Sequence, residues 1–255
     1  MLQVENLTKI FPDGTEALHN VSFQVKEGEF LAIIGLSGSG KSTLLRCINR
    51  LIDPTDGRVL WDDEDITAAQ GKELRRIRRH IGMIFQQFNL VKRSSVMTNV
   101  LSGRLGYANP FLSLFGRFSS QDRERAAAAL DRVGISDKAY NRADQLSGGQ
   151  QQRVGIARAL MQEPRLMLAD EPVASLDPVL AHSILRYLEL LNRQDGITVL
   201  CSLHFLDLVH RYATRVIGLT DGEMVIEGLP TELTPERFKE VYGQEAEMVT
   251  VGGQG

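Results

Sequence analysis

Cysteine, long apolar runs and an excess of charge of either sign are all scarce in this chain of 255 residues. Cys47 and Cys201 stand alone with no Cys-x-x-Cys spacing, which argues against a disulfide scaffold and for a reducing compartment. The best apolar run, Phe30 to Leu36, is broken by Gly35, well short of the roughly 20 apolar residues of a membrane span. The first residues, Met1 to Asn6, lack the basic-then-apolar layout of a secretory signal. A formal charge of −3 leaves no electrostatic footprint for nucleic acid. With 43% apolar and 24% charged residues, the expectation is a soluble intracellular protein. A chain of this length buries roughly three quarters of its unfolded surface and needs no staple to hold a core.

What is present is a change of pattern. Leu2 to Glu5 and Val21 to Val25 alternate apolar and polar residues, with Pro12-Asp13-Gly14 between them, as antiparallel strands with one wet face do. Phe30–Ile34 is apolar throughout and bounded by glycine; Ile81–Phe85, Leu166–Ala169, Ile197–Leu200 and Val216–Leu219 are similar. Such runs, with helical patterns between several of them, indicate an α/β parallel sheet buried on both faces. The stretch from about 90 to 160 carries no such strand. Asp122 to Val133 and Ser147 to Met161 there have helical composition, so a helical block inserted in the α/β core is expected. One domain over 1–243 and a fraying tail over 244–255, which ends Gly-Gly-Gln-Gly, complete the layout.

Directly after the first buried strand comes Gly35-Leu36-Ser37-Gly38-Ser39-Gly40-Lys41-Ser42, followed by Thr43 and a helical run. This fits G-x-x-x-x-G-K-[ST] between strand and helix, the context the motif requires. Glycines let the loop wrap so that backbone N–H groups face phosphate oxygens, and the helix adds its positive end. Lys41 can reach the β- and γ-phosphates and Ser42 can ligate Mg²⁺. A flexible Gly/Ser linker would explain neither Lys41 nor the flanks. A dinucleotide fingerprint is excluded because its third glycine would fall on Thr43, and no guanine-reading Asn-Lys-x-Asp is found.

A second strand, Leu166–Ala169, runs into Asp170-Glu171. Asp170 can hold Mg²⁺ through water, and Glu171 can polarise an attacking water as general base. Leu146-Ser147-Gly148-Gly149-Gln150 opens a helix upstream. Ser147 is a natural N-cap. Two glycines in a first helical turn cost roughly 1 kcal/mol each against alanine, so capping alone does not explain them. Bare N–H groups at the helix end make a second anion-binding site, suited to a nucleotide held by another subunit. His19, His80, His182 and His210 show no metal spacing, and Lys72–Arg79 reads first as a solvated basic helix face next to a strand, with nucleic acid or lipid headgroups as the alternative users of its charge.

In order, Gly35–Ser42, Gln86, Leu146–Gln150, Asp170-Glu171, Ser175-Leu176-Asp177 and His204 resemble an ATP-binding-cassette (ABC) ATPase over about residues 2 to 230. The resemblance implies a P-loop NTPase (RecA-like) α/β core with an N-terminal antiparallel β subdomain and an inserted α-helical subdomain. It implies ATP and Mg²⁺ as nucleotide and metal. Phe11 matches the ring that stacks on adenine, and Gln86 matches the glutamine that contacts Mg²⁺ and the attacking water. Ser147, Gly148, Gly149 and Gln150 match the signature that meets the γ-phosphate across a head-to-tail homodimer, Asp177 matches an interface aspartate, and His204 matches a γ-phosphate contact.

The interval from Lys41 to Ser147 is too short for the long coiled coil of DNA-repair and chromosome cassettes, and the translation type carries two cassettes per chain. A single compact cassette resembles the separate ATPase subunit of a bacterial importer. Gln86–Val91, Arg93–Tyr107, Ser113–Gly116 and Phe238–Gly243 resemble the phosphonate-importer ATPases. Phosphite and hypophosphite importers are close relatives, and Phe205 and Leu206 replace the polar residue often found after the histidine. The implied partners are a second copy, permease subunits docked on the helical block and, indirectly, a solute-binding protein. The implied location is the cytoplasmic face of the inner membrane. Alternatives are an importer ATPase for phosphate, a polar amino acid or another small solute, or a soluble non-transport ABC ATPase.

Overall fold

The computed structural model describes residues 1–174 and 176–243. Ser175 and the tail 244–255, expected to fray, lie outside the described residues. The chain opens with β1 (Leu2–Ile10) and β2 (Glu16–Val25), then β3 (Phe30–Ile34) and α1 (Lys41–Ile48). Next come β4 (Asp56–Trp61), β5 (Glu64–Asp65), α2 (Gly71–Arg78) and β6 (Ile81–Ile84). Four helices follow before another strand: α3 (Val96–Leu101), α4 (Pro110–Leu114), α5 (Ser120–Arg132) and α6 (Gly148–Leu160). The remainder runs β7 (Leu166–Ala169), α7 (Pro178–Asp195), β8 (Thr198–Ser202), α8 (Leu206–Tyr212), β9 (Arg215–Thr220), β10 (Glu223–Gly228) and α9 (Pro235–Tyr242).

Two sheets result. The N-terminal sheet has the order β2-β1-β4-β5, with β1 antiparallel to both β2 and β4. The central sheet has the order β10-β9-β3-β8-β7-β6, with β10 antiparallel at one edge and the other pairings parallel. This is an α/β core with an antiparallel β subdomain and a helical part between β6 and β7. Side chains alternate across the central sheet. Phe30, Ala32 and Ile34 of β3 pack toward the helices α5 to α7, while Leu31 and Ile33 pack toward α1 and the N-terminal sheet. Both faces are covered, which is why these strands read as unbroken apolar runs.

β4, β5 and β10 were not expected. Val59 is the buried residue of β4 and Ile226 that of β10, so their patterns are too sparse to stand out from loop sequence. The basic cluster is a helix, as expected, with Ile77 its buried residue, but it is more than a solvated face. Arg78 Nε donates to the Asn49 carbonyl at 3.0 Å, Arg76 pairs with Glu64 at 2.9 Å, and the Arg79 guanidinium lies over the Tyr107 ring. Among the described residues no helix is long and apolar enough to cross a membrane.

α9 closes the molecule over the loop that follows β3. Phe238 and Tyr242 stack with ring centroids 4.2 Å apart and are both buried. The Tyr242 hydroxyl accepts from the Gly35 N–H at 3.2 Å and donates to the Leu203 carbonyl at 3.5 Å. Burial pushes this phenol up to about 12, so it stays a neutral donor and acceptor. Tyr242→Phe keeps the ring and strands the buried Gly35 N–H. Urea unfolding of that variant should show a loss of about 1–2 kcal/mol with an unchanged slope; wild-type stability would show that the hydroxyl is not needed.

Candidate functional site

The C-terminal ends of four parallel strands meet at one edge of the central sheet, where ligands of open α/β folds bind. Gly35–Gly40 leave β3, Gln86 leaves β6, Asp170-Glu171 leave β7 and His204 leaves β8. The loop after β3 is shaped by close approach. Gly40 has φ +101, and a Cβ there would lie 2.4 Å from the Ala17 carbonyl of β2. Gly38 (φ +85) faces open space, and Ser37 is exposed. α1 then starts at Lys41, with Gly40 at its N-cap and no side-chain cap there.

Lys41 is nearly fully buried. Its Nζ donates to the Gly35 and Leu36 carbonyls at 2.8 Å each and lies 3.9 Å from Glu171 Oε1. Burial pulls its pKa below the usual lysine range, against the opposing pull of Glu171 and Asp170. Ser42 Oγ donates to Asp170 Oδ1 at 2.7 Å, and Arg46 Nη2 donates to Asp170 Oδ2 at 3.1 Å. Asp170 itself has no exposed surface.

Glu171 leaves β7 with φ +46, a left-handed conformation that costs a non-glycine residue roughly 1–2 kcal/mol. The Ser202 hydroxyl holds it there by accepting the Glu171 N–H at 2.6 Å. The turn aims the carboxylate at three partners. His204 Nε2 lies 2.8 Å from Oε1, Gln86 Nε2 donates to Oε2 at 2.7 Å, and Lys41 stands behind. The hydrogen bond with His204, then its charge and that of Lys41, hold the Glu171 carboxyl below the usual glutamate range despite partial burial. Ser39 Oγ is buried with no hydrogen-bond partner among the described residues.

These residues fit a nucleotide with a hard cation. The Ser42 hydroxyl, the Asp170 carboxylate and the Gln86 amide are the oxygen-donor set such a cation takes. The Lys41 ammonium and the orphaned Ser39 hydroxyl are hydrogen-bonding groups within the phosphate loop.

The other candidates stand apart. Ser147 caps α6 in a capping box with Gln150: Ser147 Oγ accepts the Gln150 N–H at 3.4 Å, and Gln150 Oε1 accepts the Ser147 N–H at 3.0 Å. A side chain at Gly149 would meet Leu180 Cδ1 at 2.9 Å, and one at Gly148 would touch Leu176 and Phe88. Packing against α7 therefore asks for a small residue at Gly149, a reason beyond the bare helix end. Asp177 caps α7, its Oδ1 accepting the Leu180 N–H at 3.0 Å. Phe11 opens the β1–β2 turn, with Lys9 Nζ 5.2 Å from its ring centre. Among the described residues no hydrogen bond or ion pair joins Phe11, Ser147–Gln150 or Asp177 to the Lys41 cluster.

Three contributors escaped the sequence reading. Ser202 acts through a backbone bond that composition does not reveal. Arg46 follows Ser42 by four residues on α1, a spacing that puts both on one face and could have flagged it. Arg158 of α6 donates to the Phe88 and Asn89 carbonyls at 2.8 and 2.5 Å, and so ties the loop after Gln86 to the helical part. Phe88 and Asn89 both have positive φ, so this loop is held in a strained form.

A family model described as ABC transporter matches residues 18–174. The chain is 53% identical to the phosphonates import ATP-binding protein PhnC of Bacillus anthracis, over 98% of this chain and 99% of that protein. It is 54% identical to the protein of the same name from Bdellovibrio bacteriovorus, over 98% and 96%. Among solved structures it resembles the ATP-binding cassette MJ0796 in a dimeric, post-hydrolysis state bound to ADP and Pi. That likeness has a TM-score of 0.81 and 38% identity over 90% of this chain and 99% of that one. It also resembles CbiO1 of Clostridium perfringens, part of the ABC transporter complex CbiONQ, with a TM-score of 0.79 and 31% identity over 97% of each.

The position of Glu171 has a pH signature. Its folded pKa lies below the ordinary value near 4.5, so its share of stability is complete above that value and disappears as pH falls through the folded pKa. Glu171→Gln removes this linkage. Denaturation at stepped pH should show wild type losing stability relative to Glu171→Gln only on the acid side of about pH 4.5; a constant gap down to the acid limit would refute the depressed value.

Proposed function

The chain belongs to the ABC transporter family, whose cassettes bind ATP, and from that premise we propose that it is the ATP-hydrolysing motor of a bacterial importer for phosphonate or a related phosphorus oxyanion such as phosphite. The observation that carries the cargo is identity across nearly the whole of both chains to proteins named for phosphonate import. The chemistry rests on the cluster around Glu171.

In this reading Lys41 trades its bonds to the Gly35 and Leu36 carbonyls for the β- and γ-phosphates. Gly35, Ser37, Gly38, Ser39, Gly40 and Thr43 cradle the rest, and Phe11 stacks on adenine. Glu171, kept ionised by His204, Gln86 and Lys41, accepts a hydrogen bond from water and aims it at the γ-phosphorus, so that ATP and water give ADP and phosphate. His204 contacts the γ-phosphate. Ser42, Gln86 and Asp170 would hold Mg²⁺, which neutralises charge on the phosphate oxygens. Catalysis is positioning and charge stabilisation.

Two copies would stand head to tail, each nucleotide bridging Lys41 of one and Ser147–Gln150 of the other, with Asp177 at the seam. The dimeric state of the MJ0796 cassette supports this arrangement. The helical part would face permease subunits and so hold the chain at the cytoplasmic side of the membrane. Two features support that surface. A groove of about 610 Å³ between α2 and residues 103–108 is lined by Lys72, Arg75, Arg79 and Tyr107. Beside it in sequence, α4 and its end expose Phe111, Leu114 and Phe115, each more than 60% exposed, an apolar patch that marks an interaction site.

Glu171→Gln should lower phosphate release by about 10²–10⁴-fold while ATP still drives dimers in size-exclusion chromatography; near-normal turnover would overturn the assignment of the base. Mixing Lys41→Ala chains with Ser147→Arg chains should restore at most one working site per dimer, so wild-type activity in the mixture would rule out the head-to-tail pair. A strain lacking the gene should fail on phosphonate or phosphite as sole phosphorus source, and unimpaired growth on both would sink the cargo.

A further inference from the structure

Arg46 is the charged residue of the cluster that the reading above leaves without a task. Ser42 and Arg46 lie one turn apart on α1, and both end on the same carboxylate, Ser42 on Oδ1 and Arg46 on Oδ2. Asp170 is wholly buried, whereas the Arg46 side chain is 41% exposed. A cation rooted at the solvent edge thus reaches inward to a carboxylate with no exposed surface.

The arrangement is a charge balance. Lys41 and His204 face Glu171, whereas among the ion pairs of the described residues Arg46 alone faces Asp170. A divalent cation arriving alone would add two positive charges beside a buried carboxylate that Arg46 already pairs, and uncompensated charge there is costly. Arriving with a triphosphate, the same cation brings its own counter-charge. Without Arg46 the Asp170 carboxylate would have no ion-pair partner among the described residues and would attract a bare cation.

We propose that Arg46 is the counter-ion that makes divalent-cation binding at Asp170 depend on bound nucleotide. It is a positioning residue: it acts through Asp170 and touches no reacting atom. The proposal rests on the reading of Asp170 as the cation's anchor. Its consequence is that metal and nucleotide enter together, and a nucleotide-free cassette does not hold a cation.

Electron paramagnetic resonance of free Mn²⁺ tests it on the full-length protein, without nucleotide and with a non-hydrolysable ATP analogue. Arg46→Met and Arg46→Gln remove the charge, Arg46→Lys keeps it, and circular dichroism checks that each variant is folded. Without nucleotide, the two neutral variants should bind Mn²⁺ about tenfold tighter than wild type, and Arg46→Lys should behave as wild type. A loss of packing alone would weaken binding or leave it unchanged. If both neutral variants bind Mn²⁺ no tighter than wild type while Asp170→Asn loses binding with the analogue, the role of Arg46 is overturned and the anchor stands. If Asp170→Asn keeps analogue-dependent binding, the anchor itself is wrong and the counter-ion role goes with it.

Discussion

A carboxyl group with no exposed surface stands at the end of β7, and the architecture around the site is arranged to tolerate it. Burying a lone carboxylate is prohibitively costly, so each Asp170 oxygen must meet a donor. Both donors come from α1, Ser42 and Arg46, which fixes how α1 sits against the sheet and therefore where the phosphate loop ends. The backbone of Asp170 is anchored to Ile84 of β6, the strand that delivers Gln86. One requirement for charge compensation thus sets the relative places of three sequence motifs.

Glu171 follows at once and has the opposite character. Its backbone is strained and its carboxylate is reachable, with partners from three separate segments. One of them, Gln86, begins the loop whose next residues are clamped by Arg158. A displacement of the helical part would therefore be felt two residues from the amide that touches Glu171. The link between Glu171 and the helical part runs through side-chain bonds to backbone carbonyls in a loop already held at unfavourable torsions.

Much of this was legible because it is local. The phosphate loop, the acidic pair and the Ser-Gly-Gly-Gln run are contiguous, and each announces its chemistry within a few residues. The central strands were legible because burial on both faces leaves unbroken apolar runs. β4 and β10 were not, since one buried residue apiece gives no period. Arg46 and Ser202 were missed for another reason: their partners are 124 and 31 residues away, and the one local signal was the four-residue spacing that sets Arg46 on the helix face of Ser42. Gly149 shows the reverse, a residue whose motif role was plain and whose packing against Leu180 was not.

The bond between Tyr242 and Gly35 joins residues 207 positions apart. On a ribosome the phosphate loop emerges early, and it waits through most of translation for the hydroxyl that satisfies its first N–H. A nascent cassette therefore has an unfinished nucleotide pocket until α9 is clear of the exit tunnel. A chain cut short before Tyr242 carries every motif of the candidate site and still lacks the strut beneath the loop, so completeness of synthesis is written into the pocket itself.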